Sequence, residues 1–501
     1  MSDRYEVVVV GSGAGGGVTA GELADAGRRV LLLESGPHRT AADFTRWEAH
    51  ASHDIWWPIA MAEPAGSGTP PLPLFRGHCV GGTTTINTKV ALRPTAQDFE
   101  KWHAAGGLAG ENGAPFGAAD LDAHFERVEA RLGVRERSDW QQCVRTVVPG
   151  FEALGAGLEP VMSYTDHNCM RCGSCLQGCP TNAGKSTMST YIHPPWAEGR
   201  LELRAGCRVT RVVIEDGGDG PVAGGVEYVD GAGVRHLVEA DVVVVAAGAL
   251  ATSQLLLRSG VREAGGGSAS GALIGRCVGF HPARLVEGLF DEVQDAHMVY
   301  PITAHCMTFQ RDEDGGFIVE AATVQDPIGF ATALSDERGV PLWGAELTEM
   351  MRRYRYFTGL LTMVSDENHG MAWIDERGRD RYSYQWSEAE QGRNQRSLEF
   401  AREVLLASGA RRVLQTGLLS THIQGGCRMG SDPERSVLDA RGESHDVRRL
   451  FVGDGSVLPC TLSVNPSLTI MSLASRLAAY LAGGEHGYFS RVGAPSTPAP
   501  V

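Results

Sequence analysis

Tyr5-Glu6-Val7-Val8-Val9-Val10 runs straight into Gly11-Ser12-Gly13-Ala14-Gly15-Gly16, and no other junction restricts the fold of this chain as much. A continuous β-branched run reads as a strand buried on both faces, the situation in a parallel sheet. Gly11, Gly13 and Gly16 then place G-x-G-x-x-G where the strand turns into a helix. Such glycines permit a tight turn and let a pyrophosphate approach the amides of the helix N-terminus, where Ala14 stands. Val18 to Gly27 supplies the helix, with Ala20, Leu23 and Ala24 on one face. Val30 to Leu33 supplies the second strand, closed by Glu34. An acid about 20 residues after the glycines can accept hydrogen bonds from ribose hydroxyls, which favours FAD or NAD over NADP. The competing reading is a glycine-rich turn with no ligand.

Length allows two or three domains in 501 residues. A net charge of -15 argues against a nucleic-acid partner and suits a cationic one, although a merely soluble acidic surface explains the number alone. No apolar run reaches 18 residues, so no membrane-spanning helix is expected. The N-terminus enters a strand within about five residues and lacks a signal peptide's layout, so a cytoplasmic location is expected, where disulfides are rare.

Further along, Gly81-Gly82-Thr83-Thr84-Thr85-Ile86-Asn87 reads as backbone lying close against a flat ligand, or as an ordinary turn. Residues 37–75 read as irregular. Ala240 to Gly248 repeats the strand-to-helix approach, after a hairpin-like insertion. From 283 to 415 strand-like runs alternate without βαβ spacing (284–290, 298–309, 317–322, 358–364), followed by a helix near 387–407, which predicts an antiparallel sheet. Residues 450–485 return to the first pattern, with Asn465-Pro466 opening the final helix.

Taken together, four blocks resemble the glucose–methanol–choline (GMC) oxidoreductases. They are Gly11 to Glu34, Gly81 to Asn87, Ala246 to Gly260, and His422 through Asp454 to Ile470. The resemblance implies an α/β fold: a Rossmann-like FAD-binding domain from 1–36, 76–160, 198–282 and 417–490, with a second, mostly antiparallel-sheet (α+β) substrate domain from 37–75 and 283–416. Residues 161–197 would be a Cys-rich insertion and 491–501 a disordered tail.

Carried onto this chain, the family's flavin contacts fall on Gly11, Gly13, Ala14 and Gly16 for the pyrophosphate and Glu34 for the ribose. Val209 would border the adenine. Gly81, Gly82, Asn87, Ala247 and Pro466 would lie along the cofactor, and Asp454 would hold the ribityl–phosphate end. The FAD would be non-covalent, because Ile86 stands where covalently flavinylated members can carry a histidine. His422 would take the alcohol proton as hydride leaves for flavin N5, with Asn465 orienting the alcohol oxygen. His281-Pro282 is read as structural.

Cys169, Cys172, Cys175 and Cys179 have the C-x2-C-x2-C-x3-C spacing of ferredoxins. Three readings stay open: a [3Fe-4S] or [4Fe-4S] cluster, a structural zinc, or a metal-free loop over the substrate entrance. The whole chain is also similar to flavoproteins that oxidise the 6′-hydroxyl of aminoglycoside intermediates such as paromamine. A cationic amino sugar would then be the substrate, and Glu320, Asp366 and Glu367 the candidate acids. Oxygen or a redox partner would take the electrons. The rival readings are a sugar or polyol dehydrogenase relaying electrons through a cluster, and a non-catalytic electron carrier.

Overall fold

The computed structural model describes residues 4–65, 68–110, 112–300, 302–323, 326–484 and 486–489. Its first sheet sets Arg4–Val10 between Val30–Leu33 and Arg235–Val245, all parallel. Leu201–Arg204 lies beyond Val30–Leu33, and Leu450–Val452 lies against the end of Arg235–Val245. Arg208–Asp216 and Pro221–Val229 extend this sheet as an antiparallel hairpin. Val8 and Val10 enter one apolar layer and Val7 and Val9 the other. Each buried valine is worth about 1.5–3 kcal/mol in transfer free energy, so this strand is stable only when covered on both faces.

The helix after the first turn spans Ala14–Asp25, four residues earlier than its first large apolar residue suggests. Glycine costs about 1 kcal/mol in a helix, and Gly15, Gly16 and Gly17 all lie in the first turn. Close packing overrides the propensity. A Cβ on Gly15 would lie 1.6 Å from the Gly453 carbonyl oxygen, and one on Gly16 would lie 1.9 Å from that of Gly11.

A second, six-stranded sheet runs Gln424–Gly426, Arg276–Gly279, Gly370–Ile374, Asp380–Tyr384, Ala60–Pro64, Leu72–Leu74. The segment expected to be irregular therefore supplies two strands, together with the helix Glu48–Asp54. The third sheet is antiparallel throughout. It runs Arg412–Gln415, Ala283–Leu289, Phe357–Val364, Phe317–Thr323, Ala304–Cys306, Glu159–Ser163, Arg135–Arg137.

Two expectations are corrected here. Residues 135–163, which include stretches assigned to the nucleotide-binding segments, pair and pack with this third sheet. Val144, Val147 and Phe151 of the helix Gln142–Ala153 share its core with Val404 and Leu405. The run 298–309 yields, among the described residues, the short strand Ala304–Cys306. The helix near 387–407 is Glu388–Ala407, opened by a Ser387–Glu390 capping box. Among the described residues, no helix is long and apolar enough to cross a membrane. The tail 491–501 lies outside the described residues.

Candidate active site

Between the carboxyl ends of the parallel strands and the face of the third sheet lies a cavity of about 1030 Å³. Ligand pockets commonly span roughly 300–1,000 Å³, so this one has room for a large cofactor and a substrate. Its nucleotide end is built by the first βαβ unit. Gly11 holds φ +95° against the Ala246 carbonyl oxygen, a conformation and a closeness that only glycine allows. Gly13 differs: a Cβ there would meet nothing within 4 Å, yet the residue lines the cavity. Its smallness serves whatever lies over it, which fits a dinucleotide pyrophosphate above the helix N-terminus.

Glu34 is buried in this wall. It accepts from Ser12 N (3.0 Å), Ser12 Oγ (2.6 Å), Ser35 Oγ (3.2 Å) and Gly36 N (2.8 Å). Ala14, Val209 and Ala247 line the same end, whereas Gly16 and Gly81 sit behind the lining, packed in the turns they permit. Asp454 accepts from Ser456 N (2.8 Å), Ser456 Oγ (2.6 Å), Gly248 N (2.8 Å) and Thr252 Oγ1 (2.5 Å). It thereby ties the Gly453–Gly455 turn to the helix Ala249–Arg258.

The Gly81–Gly82 turn abuts the dinucleotide loop, with Gly81 N donating to Ser12 Oγ at 2.9 Å. Asn87 lines the cavity and donates to Tyr164 Oη at 2.5 Å, and Tyr164 reaches Ser467 Oγ at 3.3 Å. Behind them Lys89 is fully buried, donates to the Thr84 and Thr85 carbonyls, and is pushed down to about 8 by burial. Sequence reasoning missed Lys89 and Tyr164, since neither falls in a motif. It also missed Arg76, whose buried guanidinium lies 5.6 Å from the Trp57 ring centroid with Nε and Nη2 unpartnered.

His422, Asn465 and Pro466 line the same cavity as the dinucleotide loop. Burial pushes His422 down to about 4, so its imidazole is neutral near pH 7 and able to accept a proton. Its Nδ1 lies 3.2 Å from Nδ1 of His281, which leaves Nε2 as the free ring nitrogen. His281, read from sequence as structural, is wholly buried, held at φ +45° and pushed well below its ordinary value by burial and by His422. A base at His422 Nε2 requires the shared proton on His422 Nδ1, donated to His281. Asn465 Oδ1 is buried without a partner.

Of the three candidate acids only Glu320 lines the cavity. Asp366 accepts from Phe280 N at 2.6 Å, bracing the loop that presents His281, and Glu367 pairs with Arg393 at 3.1 Å. The four sulfurs of the cysteine run lie close enough to influence one another, Cys175 feeling Cys169, Cys172 and Cys179. No three of them lie within 4.8 Å of one another; among the described residues only Glu367, His369 and Glu390 form such a trio. Lys89 stands against this run. Its cation lies near Cys175 and Cys179, and its stem packs where a Cβ on Gly184 would touch it. Gly173 and Leu176 instead form part of the cavity wall, and the Leu176 carbonyl accepts from Trp56 Nε1 at 2.8 Å.

The N-terminal family profile described as GMC oxidoreductase matches residues 6–283, and the C-terminal one matches 362–474. The chain belongs to the GMC oxidoreductases. Like the family, it is an enzyme acting on CH–OH donors.

An uncharacterised GMC-type oxidoreductase of Sinorhizobium fredii is 27% identical to it over 94% of this chain and 94% of its own length. A long-chain-alcohol oxidase of Arabidopsis thaliana is 28% identical over 94% of this chain, which spans 66% of that longer protein. The 6'''-hydroxyparomomycin C oxidase of Streptomyces lividus is 28% identical over 96% of this chain and 92% of its own length. Among solved structures, pyridoxine 4-oxidase from Mesorbium loti superposes with a TM-score of 0.74 at 20% identity, over 97% of this chain and 100% of that one. A formate oxidase variant of Aspergillus oryzae studied for FAD modification gives 0.71 at 13% identity, over the same shares. At these identities the structural likeness speaks for this GMC fold alone.

Proposed function

We propose that this GMC oxidoreductase binds FAD non-covalently and oxidises a primary alcohol to an aldehyde, the alcohol being the 6′-hydroxyl of an amino sugar such as paromamine. The observation that carries the reading is the meeting of a neutral, half-buried histidine, His422, and the unpartnered amide oxygen of Asn465 in one cavity with the dinucleotide loop. Gly11, Gly13 and Ala14 would cradle the pyrophosphate, Glu34 the ribose, and Val209 the adenine. Asn87 and the Gly81–Gly82 turn would support the ring system. Bound FAD supplies a two-electron acceptor for the hydride.

The residues of the chain do the rest. Asn465 fixes the alcohol oxygen, and His422 Nε2 takes its proton, with Nδ1 held by His281. The walls from the third sheet exclude water. Ser467–Gly483 points its N-terminus at this end of the cavity, where a helix dipole favours negative charge. The cysteine run serves as a wall rather than a metal relay, and oxygen takes the electrons. The amino-sugar assignment draws on the Streptomyces lividus relative and on the acids Glu320, Asp326 and Glu48 in the substrate half.

An anaerobic visible spectrum of the purified protein, before and after paromamine, tests this. Flavin bands that bleach support both cofactor and substrate. Bands that stay oxidised refute the amino-sugar substrate, and their absence refutes the cofactor.

A further inference from the structure

We infer that Glu320 is the ammonium-recognising residue of this cavity, pairing with an amino group of the substrate and so restricting turnover to alcohols that carry a cation. The inference deepens the reading above and rests on it.

Glu320 lies in the middle of Phe317–Thr323. It faces Leu361 across the ladder, and Leu361 in turn faces Leu285. Cross-strand partners share a face, and all three line the cavity. The wall around them is apolar, formed with Val90, Val299 and Ile302. Within it Glu320 has no solvent exposure, and neither carboxyl oxygen has a hydrogen-bond partner. Its other cross-strand neighbour, His305, directs Nε2 at Glu159 (3.8 Å). The Asn465 amide stands beside the carboxyl and tempers the effect of burial on it, short of a full hydrogen bond.

An unpaired carboxylate in such a setting costs several kcal/mol, and a leucine or methionine would fill the position without that cost. A buried acid kept without a partner is explained if the partner arrives with the substrate. Burial pushes the carboxyl up to about 8, so at neutral pH it waits protonated. A neutral amine then takes that proton, or an ammonium meets the carboxylate once its proton has left to solvent. Either route ends in one carboxylate and one ammonium. The neighbouring Asn465 would hold the alcohol oxygen while Glu320 holds the amine of the same molecule. A neutral long-chain alcohol would leave the acid unpaired, and dry sites built for a polar group discriminate strongly against substrates that lack it.

The test compares paromamine with its fully N-acetylated form in wild type and in Glu320→Gln, with n-butylammonium as a ligand that carries no hydroxyl. The ratio of kcat/KM for paromamine over the acetylated form should fall about 10–100-fold in the variant, mainly through KM for paromamine. Butylammonium binding, read as a perturbation of the flavin spectrum, should weaken at least about tenfold. If wild type oxidises paromamine and the variant keeps the ratio, the inference is overturned while the function stands. If wild type oxidises neither substrate but butylammonium binding depends on Glu320, the inference stands and the amino-sugar reading falls. Glu320→Leu guards against a purely structural role. Removing an unpaired buried acid should raise Tm by about 2–4 °C, and a comparable fall would show that the carboxyl already has a partner in the protein.

Discussion

Two buried glutamates line one cavity and could hardly be treated more differently. Glu34, in the nucleotide wall, accepts four hydrogen bonds from Ser12, Ser35 and Gly36. Glu320, in the wall of the third sheet, accepts none. The first carboxylate is part of the architecture: its neighbours hold it aimed, and an incoming ribose would find an acceptor already in place. The second is held in reserve. A preformed wall and a wall left incomplete in the same cavity distinguish a cofactor that stays from a substrate that comes and goes.

The sharpest break between the walls is His422→Ala. Turnover should fall about 10²-fold or more, the scale of a lost general base, while the yellow of bound flavin is retained. Wild-type rates would remove His422 from the chemistry. Glu34→Ala should do the reverse, orphaning buried donors at about 1–3 kcal/mol each, so that purified protein loses flavin and melts several degrees lower. A variant that keeps both would make Glu34 dispensable to its wall.

His281→Phe should act more weakly. It keeps a ring in place but frees His422 Nδ1, so kcat should drop about tenfold with an altered pH profile and unchanged flavin content. An unchanged profile would reduce His281 to packing. Smallest is the acid limb of wild type: with His422 held down to about 4, kcat at saturating amino sugar should change less than about twofold between pH 7.5 and 5.5. A histidine at the ordinary value near 6.5 would lose about tenfold over that range. The sign for folding is opposite in consequence. A histidine depressed in the folded state costs stability as pH falls from 6.5 towards 4, so circular dichroism at each pH must accompany the rates.

What could be seen in the chain beforehand was what is local. The strand, turn, helix and acid from Tyr5 to Glu34 signal one another within thirty residues, and the structure places them together. The strands Ala60–Pro64 and Asp380–Tyr384 pair across more than 300 residues, so nothing near residue 60 announces a sheet. Glu320, Asp366 and Glu367 look alike as letters. Only partners brought from elsewhere, Phe280 and Arg393, mark two of them as engaged. The cysteine spacing is likewise a local signal, and it gave no hint that the cation of Lys89 would stand near Cys175 and Cys179.

Gly13 carries a last consequence. Because a methyl group there would touch no protein atom, a survey of variants scored by folding alone would pass Gly13→Ala as silent. The same survey scored by retained colour would single it out. A residue of this kind records the outline of a guest in the shape of its host, and it is legible only to an assay in which the guest is present.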